Sequence, residues 1–184
     1  MLLKIKHCFD VFAEAISEAG GTPKLVKCLS HDNMAIIENA SGILWNCATL
    51  PEVKIAIRKS GGLQPLLKLL LSNNENIQEN ASGALRNCAV NDQNKIALRE
   101  LGGMRIFVTI LEKVKRLMVL ERIVSTLWIC SIELENKHVI REVGGIQKLV
   151  HLLQHSSLSI VEKALGAIRN CSTVPENGSE IRKA

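Results

Sequence analysis

A beat of 41 to 42 residues runs through the chain and constrains its fold more than any other feature. Gly pairs at Gly20-Gly21, Gly61-Gly62, Gly102-Gly103 and Gly144-Gly145 stand 41, 41 and 42 residues apart. Cys47, Cys88, Cys130 and Cys171 recur at 41, 42 and 41. Glu38, Glu79, Glu121 and Glu162 keep the same beat, as do Arg58, Arg99, Arg141 and Arg182. Asn46, Asn87 and Asn170 share one position, at which the third copy has Ile129. A period of this size marks stacked repeats, each of which buries its apolar face against a neighbour.

Within each copy the apolar spacing is helical. Leu63, Leu66, Leu67 and Leu70 fall on one face of a segment that follows Gly61-Gly62. Pro65 sits in its first turn, where the missing N–H costs nothing. Ile77, Ala81, Ala84, Leu85 and Cys88 form the stripe of a longer segment, and Ser72-Asn-Asn-Glu-Asn76 between the two offers N-capping side chains. A short segment such as Asn94–Leu101 precedes each Gly pair, which ends it with a residue free to take positive φ. Each copy is thus a short helix, a Gly-Gly corner, a medium helix, a polar loop and a long helix. Full copies are expected at about 11–50, 51–91, 92–132 and 135–174, with a partial one at 175–184, in a single domain over 1–184. The last copy stops before its Gly pair and lacks the polar cap that closes a solenoid, so a fragment or truncated isoform is expected.

Composition agrees. Nearly half the chain is apolar, yet only three Phe and two Trp are present and no Tyr, as expected of many small helix contacts. The net charge of +5 is modest, and basic residues are not gathered with aromatic platforms, which argues against nucleic acid as the partner. No charge-free apolar stretch is long enough to span a membrane, and the N-terminus is charged too early for a signal peptide. The cysteine column lies on the apolar stripe, lacks the tight pairs zinc needs, and is spaced too widely for disulfides. These features place the chain in a reducing compartment, the cytoplasm first, with nucleus and cilium or cytoskeleton open. His151 and His155 stand four apart with no third ligand, so a solvated surface is expected and no metal. No nucleophile–base set, phosphate loop or carboxylate pair emerges, so no catalytic residue, small-molecule substrate or cofactor is expected.

The sequences Asn94-Lys-x-x-Leu-x-x-x-Gly-Gly103, Leu63-x-Pro-Leu-Leu-x-Leu-Leu70 and Glu79-x-Ala-x-x-Ala-Leu-Arg-Asn-Cys88 resemble the armadillo repeat. The resemblance covers essentially the whole chain and implies an all-α, right-handed α-solenoid with three helices per repeat. It also implies that the third helices line a concave groove in which the Asn column hydrogen-bonds the backbone of an extended peptide. That role falls on Asn46, Asn87 and Asn170. Asn is a poor helix former, so its recurrence inside a helix asks for a reason; ties between adjacent repeats are the competing one. Two turns earlier on the same face are Asn39, Asn80, Arg122 and Lys163. One turn earlier are Gly42, Gly83, Ser125 and Gly166, where nuclear-import receptors of the importin-alpha type carry Trp. Trp45, Arg86, Trp128 and Arg169 stand directly before the Asn column.

The Ala-Leu-Arg-Asn signature is closer to the catenin type, and the cations on this face suit a neutral to acidic ligand. The Glu and Arg columns could form a ladder of ion pairs, each exposed pair worth under about 1 kcal/mol. The third copy departs most: its loop reads Glu112-Lys-Val-Lys-Arg-Leu-Met-Val-Leu120, which either interrupts the groove or makes a separate contact. Its third helix, Ser125-Thr-Leu-Trp-Ile-Cys-Ser-Ile132, resembles armadillo proteins that dock outer dynein arms in cilia. The expected function is a non-catalytic scaffold that binds an extended or helical segment of another protein. The alternatives are a nuclear-transport adaptor and a structural component of a ciliary or cytoskeletal assembly.

Overall fold

The structure, a computed structural model, describes residues 11–178. The first copy comprises helical residues 11–18 (α1), α2 (Gly21–Cys28) and α3 (Met34–Cys47). The second comprises α4 (Pro51–Lys59), α5 (Leu63–Leu69) and α6 (Glu75–Cys88). The third comprises α7 (Asp92–Glu100), α8 (Gly103–Ile110) and α9 (Leu117–Cys130). The fourth comprises α10 (Leu134–Glu142), α11 (Gly145–His151) with a 3-10 turn at Leu152–Gln154, and α12 (Leu158–Ser172). Residues 175–178 begin another helix, and no strand occurs among the described residues. This is the all-α solenoid with three helices per copy. Arg182 and the end of the partial fifth copy lie outside the described residues.

The chain forms two compact units, one through Ala97 and one from Leu98. In the first, α3 and α6 pack side by side; in the second, α9 and α12 do. Leu44, Ile57, Leu66, Ile77 and Leu85 fill the first core, and Met104, Phe107, Ile123, Leu127, Ile146 and Ile160 the second, all fully buried.

The Gly pairs divide their labour. The first glycine of each pair, Gly20, Gly61, Gly102 and Gly144, has φ between 63° and 74°, which an L side chain rarely adopts. The second serves close packing: a Cβ on Gly62 would stand 2.8 Å from Val26 Cγ2, and one on Gly145 2.8 Å from Ile140 Cγ2. Asn33 and Asn74 cap α3 and α6 by accepting backbone N–H groups.

The cysteine column is core. Cys47, Cys88, Cys130 and Cys171 are buried and carry no disulfide. Burial pushes the Cys88 thiol up to about 12 and that of Cys171 to about 11, so neither forms a reactive thiolate near neutral pH.

Glu38, Glu121 and Arg58 meet partners other than the expected ladder. The Glu column lies in the second turn of each third helix. Glu38 accepts from Asn74 Nδ2 (3.2 Å) and Asn76 Nδ2 (3.0 Å) at the start of the next third helix. Arg58 Nε donates to Asn94 Oδ1 at 2.8 Å instead of to a carboxylate. The reason is position: the two columns sit on different helices, and amides stand closer to Glu38 and Arg58.

Asn94 exposes a second amide column. Asn94, Asn136 and Asn177 are fully buried on the first helices. Their Nδ2 atoms donate to the carbonyls of Cys88, Cys130 and Cys171 at 3.0, 3.0 and 2.9 Å. Each stitches a third helix, whose last carbonyls have no partner within the helix, to the helix that follows. The second copy has buried Val53 at that place.

Candidate functional site

In the first unit the sequence-predicted residues lie on neighbouring third helices. Asn39, Trp45 and Asn46 are on α3, and Asn80, Arg86 and Asn87 on α6. Asn39, Asn46 and Arg86 are exposed, while Trp45, Asn80 and Asn87 are half-buried. The second unit places Arg122 and Trp128 on α9, with Lys163, Arg169 and Asn170 on α12. Arg169 is exposed, and the other four are half-buried.

The Asn column ties the repeats together. Asn87 Nδ2 donates to the Trp45 carbonyl at 3.2 Å, and Asn170 Nδ2 donates to the Trp128 carbonyl at 3.3 Å. The Asn170 amide also donates to Ser131 Oγ at 3.1 Å. A side-chain amide has two N–H donors and one acceptor oxygen. Asn87 therefore keeps one N–H beyond its tie, and its Oδ1 accepts from Arg86 Nη1 at 3.3 Å. Both N–H groups of Asn170 are engaged, which leaves Oδ1 as its acceptor.

The residues two turns earlier repeat the tie with different chemistry. Asn80 Nδ2 donates to the Glu38 carbonyl at 3.0 Å. At the matching place Lys163 Nζ lies 3.0 Å from Glu121 Oε1, which also accepts from Ser159 Oγ at 2.8 Å. The hydrogen bonds from Ser159 and then Lys163 hold the Glu121 carboxyl below its ordinary range.

The tryptophans explain the glycines one turn before the Asn column. A Cβ on Gly83 would stand 2.5 Å from Trp45 Nε1, and one on Gly166 2.5 Å from Trp128 Cε2. Each indole thus lies against the bare backbone of the next third helix. Glycine inside a helix costs about 1 kcal/mol relative to alanine, and here the space it opens is filled by a ring. The sequence showed the glycines as a missing Trp ladder. What it did not show is that the Trp of one copy covers the Gly of the next.

Among the described residues no three His, Cys, Asp or Glu are gathered to hold a metal ion. No described helix is long and apolar enough to cross a membrane. His151 is exposed at the end of α11, while His155 lies beyond that helix, half-buried.

Stacked three-helix repeats whose third helices are joined through their side chains define a helical-repeat protein of the kind that presents helix faces to partners. The armadillo/β-catenin-like repeat model matches residues 12–49, 51–90 and 135–173, so the chain belongs to that family. Comparison with curated protein sequences gave no match. Among solved structures, a computationally designed armadillo repeat protein for modular peptide recognition is 27% identical with a TM-score of 0.89 over 94% of this chain and 74% of its own. A designed armadillo repeat protein in complex with the peptide (KR)4 is 26% identical, with a TM-score of 0.81 over 92% of this chain and 74% of its own. A further engineered protein is 29% identical with a TM-score of 0.84 over 89% of this chain, which spans 40% of that protein's length.

Proposed function

We propose that this chain is a non-catalytic scaffold that holds an extended segment of another protein along the faces of its third helices. The observation that carries this reading is the α3–α6 face of the first unit. It carries Asn39, Asn46, Asn80, Asn87, exposed Arg86 and half-buried Trp45 on its two helices. Amides there can substitute for a neighbouring strand by meeting the N–H and C=O groups of a peptide, and the indole offers an apolar surface beside them. Designed relatives built for modular peptide recognition support the same use of the fold.

The charge of the segment is read from this chain's own residues. Arg86 and Arg169 are exposed, and Glu38 is tied down by Asn74 and Asn76. A neutral to acidic segment fits such a face, whereas the designed relative above holds a Lys-Arg peptide. Free buried thiols suit a reducing compartment such as the cytoplasm.

Fluorescence anisotropy with a labelled Glu-Asp repeat peptide and with (KR)4 tests both parts. The acidic peptide is expected to bind more tightly, and Arg86→Ala with Asn87→Ala to weaken it about tenfold, or 1.4 kcal/mol. Unchanged binding in that double variant sinks the third-helix reading, and a preference for (KR)4 sinks the charge reading.

A further inference from the structure

The 42-residue interval of the third copy, against 41 elsewhere, has a place in the structure. The loop between α8 and α9 uses six residues, 111–116, where the loops 29–33 and 70–74 use five. The loop also changes chemistry. Asn33 and Asn74 cap their third helices with side-chain hydrogen bonds, but Arg116 at the start of α9 makes no side-chain cap. Losing such a cap costs a helix about 1 kcal/mol, and cations near a helix N-terminus oppose its dipole. Lys113 and Lys115 in this loop are exposed, so packing does not offset their charge at that end.

What the loop borders is apolar. Leu117 and Met118, at the start of α9, are 52% and 53% exposed, and Leu158, at the start of α12, is 83% exposed. Leu117 and Leu158 hold equivalent positions on neighbouring third helices, so their backbones stand roughly 10 Å apart. One turn beyond Leu117, Leu120 lines a cleft of about 560 Å³ with Leu111, Leu152, His151 and His155. Glu112 at its rim is paired with Lys148 at 2.9 Å, with Lys113 also in range of the carboxylate. With that one carboxylate matched, the rim is left basic beside an apolar strip and a cleft.

We infer that this edge of the second unit is a second docking surface, for an acidic amphipathic helix of a partner protein. Side chains at i and i+7 of a helix are about 10.5 Å apart, close to the typical spacing of neighbouring packed helices, so one helix face can rest on both Leu117 and Leu158. A bulky apolar side chain from that face enters the cleft, and flanking Asp or Glu residues meet Lys113 and Lys115. A recessed cleft favours a discrete side chain over a lipid surface. Its cationic loop joins second to third helices and shares no residue with the Asn column, and its apolar strip stands at the first turns of α9 and α12, about three turns from that column.

The test uses the full chain and three labelled amphipathic peptides of about 18 residues, long enough to become helical on binding. The first carries Leu at i, i+3, i+4 and i+7 with Asp and Glu between; the second has Lys for the acids, the third Ser for the Leu. The acidic Leu peptide is expected to bind, the other two at least tenfold more weakly. Lys113→Glu with Lys115→Glu, and separately Leu117→Ser with Met118→Ser, are each expected to weaken it by tenfold or more. Lys113→Arg with Lys115→Arg should retain it, and Arg86→Ala with Asn87→Ala should leave it unchanged. Circular dichroism and the melting temperature, which these exposed positions should not move, verify folding. No binding by the acidic Leu peptide overturns the inference, as does equal binding of the Ser or Lys peptide. Loss on the Arg86/Asn87 variant with the loop variants silent also overturns it while sparing the third-helix reading. So do two further outcomes tied to Leu117 and Met118: capture on phosphatidylserine vesicles without peptide binding, or self-association in sedimentation. The first assigns the edge to a membrane, the second to another copy of the chain.

Discussion

The two units make the same joint with different chemistry. In both, a tryptophan carbonyl accepts from the Asn of the next third helix, and the indole lies on that helix's glycine. Two turns earlier they part: a neutral amide reaches a backbone carbonyl in the first unit, and a lysine reaches a carboxylate in the second. The buried amides differ as well. Asn94 donates to the carbonyls of Lys54 and Cys88 and accepts from Arg58, whereas Asn136 Oδ1 is buried with no hydrogen-bond partner. At these positions the first unit thus uses an amide and a fully paired Asn94, and the second an ion pair and an Asn136 with only its N–H side bonded. A repeat position specifies where a tie must fall without specifying what makes it.

The largest expected effect sits at the buried amides. Asn94→Ala leaves two carbonyls and a guanidinium without their partner and should cost about 3 kcal/mol, while Asn136→Ala strands one carbonyl and should cost about 1–2 kcal/mol. Chemical denaturation of the two variants measures the gap, and equal losses would break the contrast between the units.

The indole–glycine joint comes next, and here the units should agree. Gly83→Ala and Gly166→Ala each force a ring aside and should destabilise by about 1–2 kcal/mol despite the better helix former. In a Trp45→Ala or Trp128→Ala background the same change should instead stabilise by up to about 1 kcal/mol. If the sign does not reverse in the double variants, the rings do not account for the glycines.

The smallest effects separate charge from amide. The Lys163–Glu121 pair is partly exposed, so Lys163→Met should cost under about 1 kcal/mol, and less at high salt. Asn80→Ala should show no such salt dependence. Because the folded Glu121 carboxyl sits below its ordinary value of 4.5, its contribution is complete above that pH and is lost as pH falls through the folded value. Melting temperatures of Glu121→Gln should therefore fall less steeply than those of the parent below about pH 4.5. An unchanged acid limb would detach the carboxylate from the joint.

Much of this was legible in the sequence, for physical reasons. The Gly-Gly corners were readable because positive φ is a backbone demand that few residues besides glycine meet cheaply. The cysteines were readable as core because they fall on an apolar helical stripe. The Asn residues of the third helices were readable only as a column of positions. That Asn87 and Asn170 already serve the neighbouring copy depends on which carbonyl comes within 3.3 Å, and helical spacing within one copy carries no such information. The buried amides at Asn94, Asn136 and Asn177 kept the beat too, and their polar type on an otherwise apolar stripe was the available signal. The indole–glycine joint gave no sign, since its members lie 38 residues apart.

The sequence by itself determined the repeat, the three helices of each copy and the armadillo family, because periodic spacing, corner glycines and apolar stripes act through local backbone and burial preferences. The tertiary structure alone decided how the copies are joined: which amide meets which carbonyl, which ring covers which glycine, and which loop cations and leucines are left exposed. Those outcomes rest on distances of a few ångströms between residues about forty apart, where hydrogen bonds and van der Waals contacts are made or lost.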